Sequence, residues 1–142
     1  MQSIDLVKGV YEKVNAGDIP GVVRSFAPDG EWRLAEGHPY DPEGSGLIGP
    51  EAIAKDFFAR AGEEWEGFAI QPERFHDAGE VVVVECRYHG LYKPTGKTQR
   101  TQVCHIWMVR DGKIARFQQY GDTGHLQDVM GARPPAGRDP SL

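Results

Sequence analysis

The segment from Phe117 to Leu126 reads FQQYGDTGHL, and its Asp122 has two readings. As a carboxylate enclosed by apolar groups it would have a raised pKa and could accept a proton from a carbon acid, while a nearby imidazolium would pull that pKa back. As the residue before TGHLQDVM it would cap a terminal helix by accepting backbone amide protons. One imidazole in a strand-like run is His105, in VCHIWMV. There Val103, His105, Trp107 and Val109 share one face of an alternating strand. An oxygen on which negative charge develops would need a donor, and His105 or Tyr88 has the right chemistry.

Other patterns carry less. GSGLIG at 44–49 matches G-x-G-x-x-G, but no strand precedes it, and Pro50 removes an amide where phosphate would bind. Its glycines read as a flexible loop or lid. The five histidines, at 38, 76, 89, 105 and 125, show no ligand spacing for a metal. His38 and Tyr40 read as loop polar groups. No G-x-S-x-G elbow is present, and Cys86 and Cys104, in apolar strand-like runs, read as small buried thiols.

The elements that must position these groups follow from periodicity. Apolar spacing of three and four predicts a helix over 3–14, and Asp18 with Pro20 predicts a capped short helix over 19–25. A short strand, EWRLA, is expected at 31–35. After a loop rich in Gly and Pro, Pro50 opens a third helix that turns Ile53, Phe57 and Phe58 inward and ends at Gly62. Period-two runs then predict strands over 68–76, 81–92, 98–110 and 113–122, joined by the turns DAGE, KPTGK and RDGK. Helices first and a meander after them give an α+β domain whose helices cover one sheet face. The predicted domain spans 1–131, and the proline-rich 132–142 is expected to be a mobile tail.

At 142 residues the chain suits one domain, and its net charge of −5 lacks the basic footprint of a nucleic-acid binder. No apolar run is long enough to cross a bilayer, and the N-terminus does not read as a signal peptide. A cytoplasmic location is expected.

VNAGD after the first helix, RSFAPDGEW, IGPEAIAKDFF, VRDGKI and QYGDT occur in an order that resembles the nuclear transport factor 2-like superfamily, in its SnoaL-like and ketosteroid-isomerase-related branch. The resemblance covers residues 4 to 130. It implies a cone-shaped, cystatin-like roll: three N-terminal helices in the concave face of a curved antiparallel sheet, with an apolar pocket between them and a homodimer through the convex face. The isomerase triad falls on Val10, Leu34 and His105, so steroid isomerisation by that triad is not implied. The polyketide cyclases of the branch are nearer, and their acid/base pair falls on Asp122 and His105. Substrate contacts are then expected from Trp32, Tyr88, Trp107 and Tyr120. The function so implied is a cofactor-independent isomerase, cyclase or lyase moving a proton on an apolar carbonyl compound, with no metal. A binding module for a hydrophobic metabolite is the alternative. A limonene-epoxide-hydrolase-like enzyme would need an Asp–Arg–Asp relay, which the sequence alone does not assign.

Overall fold

The computed structural model describes residues 2–132. Its first helix, α1 (Ser3–Asn15), buries Val7, Val10, Tyr11 and Val14, the face set by the three-and-four spacing. Asn15 at its end exchanges two hydrogen bonds with the backbone of Ile70, donating at 2.8 Å and accepting at 2.9 Å, which ties the helix to a strand. Helix α2 (Ile19–Arg24) is capped as expected, Asp18 accepting from the Gly21 amide.

A single six-stranded sheet holds β1 (Phe26–Arg33), β2 (Leu47–Ile48), β3 (Trp65–Ala78), β4 (Val81–Tyr92), β5 (Lys97–Arg110) and β6 (Lys113–Gly121), in the order β2-β1-β6-β5-β4-β3. The meander β3 to β6 is antiparallel. Two features depart from the sequence expectation. Strand β1 begins at Phe26, ahead of the APDG segment, and pairs parallel with β6, so the sheet is mixed. The loop before the third helix also contributes β2, which pairs with β1. Pro72, which cannot donate to a ladder, is accommodated because β3 is an edge strand with a register shift between Pro72 and Arg74.

The third helical segment runs past Gly62. It comprises α3 (Pro50–Ile53), a π-helical stretch at Ala54–Ala59 and α4 (Arg60–Glu64), and it ends where Trp65 turns extended. Ile53, Phe57 and Phe58 face the core as expected. Helix α5 (Thr123–Met130) packs Leu126, Val129 and Met130 against Ala61 and Trp65 at one end of the sheet, and stops at Gly131 in the left-handed conformation.

Strand phase is as the sequence implies for β4 and β5: Val82, Val84, Cys86 and Tyr88, then Val103, His105, Trp107 and Val109, point to the helices and are buried. Cys104 instead lies on the other face and is partly exposed. Among the described residues no helix is long and apolar enough to cross a membrane. The expected mobile tail lies outside the described residues apart from Ala132.

Candidate functional site

His105 sits at the centre of the inward face and is fully buried. Its Nδ1 is 2.7 Å from the Tyr11 hydroxyl and its Nε2 is 2.7 Å from the Tyr88 hydroxyl. Trp107 donates its indole N–H to Tyr11 at 2.9 Å, Gln119 donates to Tyr88 at 3.3 Å, and the Gln119 carbonyl oxygen accepts from the Ala35 amide at 3.1 Å. Burial lowers the His105 pKa to about 3, so the ring is neutral. The same burial raises both tyrosines and pushes the Cys86 thiol up to about 12. The result is an uncharged, mutually satisfied network that pins α1 to β4, β5 and β6. Tyr11 and Gln119 are the members that sequence reasoning missed; on α1, Tyr11 looks like one more apolar contact.

The carboxylate expected beside this imidazole is elsewhere. Asp122 is exposed, and its Oδ1 accepts from the His125 amide at 3.1 Å, capping α5. Strand period decides this: Phe117 and Gln119 take the inward slots of β6, so Tyr120 turns outward, 55% exposed, and Asp122 follows on that side. Asp122 and Tyr120 share a shallow groove on the outer sheet face with Glu85, Gln102 and Cys104. The expected pairing of Asp122 with His105, and the expected inward place of Tyr120, are therefore both corrected. Trp32, Tyr88 and Trp107 are buried on the inner face.

A cavity of about 370 Å³ opens between the third helical segment and the loop after β1. Trp32, Leu34 and Phe57 make its apolar lining. Trp32 stacks on Phe117 with ring centres 3.9 Å apart and meets Phe57 at 4.8 Å. Its indole N–H is buried without an acceptor among the described residues, at a cost of roughly 1–3 kcal/mol for such a group.

The loop side of the cavity is Tyr40, Asp41, Gly46 and Leu47. Asp41 holds this loop by accepting from the Ser45 amide at 3.0 Å and the Gly46 amide at 2.8 Å, so the glycine-rich segment is anchored at the mouth rather than free. His38, expected as a loop polar group, is buried, accepts from the Tyr40 amide and has its pKa lowered to about 4 by burial.

The helix side is Lys55, Asp56 and Arg60. Lys55, Asp56 and Phe57 all come from the π-helical stretch, whose wider turn crowds them toward one opening with Arg60. Such turns recur at functional sites. Arg60 donates its Nε–H to Glu64 at 3.1 Å and lies 4.0 Å over the Tyr40 ring. Glu64 also accepts from the Tyr40 hydroxyl at 3.1 Å and the Tyr92 hydroxyl at 3.3 Å. Burial, and then the Glu64 carboxylate, raise the Tyr40 pKa, so Tyr40 stays protonated as a donor. Among the described residues no ion pair joins Arg60 to Asp41 or Asp56; Arg60 bonds to Glu64 and Asp41 to its own loop.

The SnoaL-like domain profile matches residues 7–117. The chain belongs to the SnoaL-like family. An NTF2-like protein from Burkholderia thailandensis is 31% identical, with a TM-score of 0.86 over 94% of this SnoaL-like chain and 99% of that one. TerC, crystallised with polyporic acid, is 27% identical, with a TM-score of 0.79 over 91% and 98% of the two chains. IdmH from Streptomyces antibioticus, a candidate polyketide cyclase, is 21% identical with a TM-score of 0.75 over 92% and 99%, a likeness of fold. No curated protein matches in sequence. The cone-shaped α+β roll expected from the sequence is thus the fold of this family, with its sheet mixed at the β1–β6 pair.

Proposed function

We propose that this SnoaL-like protein is a receptor for a small, largely apolar, planar molecule, bound against Trp32 and Phe57 at the opening beside the π-helical turn. The observation that carries this is the cavity itself: aromatic walls with a few polar groups at the rim. TerC, crystallised with polyporic acid, supports a ligand pocket on this fold. Acid–base turnover by Asp122 with His105 is not part of the proposal, because the two lie on opposite sides of the sheet.

The test is a nuclear magnetic resonance titration with planar aromatic compounds. The Trp32 indole proton is expected to move most, and that of Trp107, already bonded to Tyr11, least. Shifts confined to the outer groove around Tyr120 and Gln102 would overturn the reading.

Asp56 favours a second reading. Its carboxylate lines the cavity with no bonded partner among the described residues, which suits a base abstracting a proton α to a carbonyl. Solvent deuterium entering cyclic ketones or β-diketones, and ceasing in Asp56→Asn but not in Asp122→Asn, is the result expected of an isomerase, cyclase or lyase.

The outer sheet face supports a homodimer. Val83 and Ile106 are half-buried there, and Met108 and Tyr120 are exposed at 41% and 55%. Paired charges, Glu31 with Arg116 and Glu85 with Arg74, flank this strip. A second copy of the chain would cover the apolar strip.

A further inference from the structure

We infer that the cavity's ligand is a planar conjugated acid, its anionic group held by Arg60 and its ring system against Trp32 and Phe57. The inference rests on the pocket reading above and narrows it to a chemical class. Among the cavity's four charged groups, Asp41 is spent on the Ser45 and Gly46 amides. Lys55 forms no ion pair among the described residues. Arg60 uses only its Nε–H on protein, leaving the four N–H groups of its fork unbonded. That fork is already oriented: Glu64 fixes one edge, and the Tyr40 ring lies 4.0 Å beneath it.

Glu64 is itself occupied, since its Oε1 accepts from two tyrosine hydroxyls. A pre-oriented guanidinium matches a carboxylate or acidic enolate in two parallel hydrogen bonds and loses little side-chain freedom in making them. Asp56, also at the rim, opposes an anion and so gives the inference an independent test. It repels the acid and exerts no charge repulsion on a neutral ligand.

The experiment is calorimetric titration of the full chain with two probes of equal shape, 2-naphthoate and 2-naphthamide. The acid is expected to bind about tenfold tighter than the amide, the scale of one charge-assisted pair. Arg60→Gln should abolish that preference and Arg60→Lys retain part of it. Asp56→Asn, which leaves the Glu64 cluster untouched, should tighten the acid about twofold and so widen its preference over the amide. Raising ionic strength from about 0.05 to about 0.5 M should shrink the preference. Equal binding of both probes, unaltered by Asp56→Asn, overturns the acid assignment and leaves the pocket standing. Binding of neither probe, with no movement of the Trp32 indole proton, overturns both.

Discussion

His105 carries no charge at neutral pH, and that fixes how the protein responds to acid. Burial lowers its pKa to about 3, and that of His38 to about 4, from 6.5. Below pH 6.5 the unfolded chain binds protons at both residues that the folded chain refuses, so stability is fully present above 6.5 and is lost as pH falls. Each histidine contributes a slope approaching about 1.4 kcal/mol per pH unit within its window. Urea denaturation between pH 7 and pH 5 should show this fall, and His105→Asn should flatten it. Asp122→Ala should cost about 1 kcal/mol as a lost helix cap, and titrations of the cavity should be unchanged; altered ligand affinity would return Asp122 to the pocket. At this scale the sequence was legible where strand phase groups residues, as for His105 with Val103 and Trp107, while the family resemblance chose which face turns inward. The sequence misled at Tyr120 and Asp122, because the inward phase of β6 is set by Phe117 lying between its strand partners Trp32 and Trp107 on the inner face.

The π-helical stretch is the element that makes the rim. It places Lys55, Asp56 and Phe57 beside Arg60, an arrangement that one residue fewer would undo. Deleting the exposed Ala59 should let the segment wind as an α-helix, shortening the spacing of Asp56 and Phe57 from Arg60 by one residue. Helical circular dichroism and melting temperature should be largely retained while affinity for planar ligands is lost. Nothing in the AKDFFA sequence marks the wider turn, since its apolar spacing suits an α-helix equally well. The antiparallel strands, by contrast, announced themselves through alternation and short turns. The parallel β1–β6 pair did not, because its partners are distant in sequence and a PDG turn signal lies inside β1. The cavity stayed hidden for a related reason: its two sides come from a loop and a helix whose facing groups have no shared period.

For the whole molecule, the outer face predicts self-association. Met108→Glu would place a charge in the middle of the apolar strip, opposite its own copy, and should shift sedimentation from dimer to monomer with cavity binding intact. A wild-type chain that sediments as a monomer at high concentration would remove the dimer from the proposal. The mixed sheet bears on synthesis as well. Phe26 and Trp32 meet Ile114 and Phe117 across the parallel pair, so β1 gains its long partner only after most of the chain has been made. Until then the first three helical segments leave the ribosome with their greasy sides uncovered. A nascent chain halted before Ile114 should therefore depend on holding chaperones, and one released after Gly121 should not.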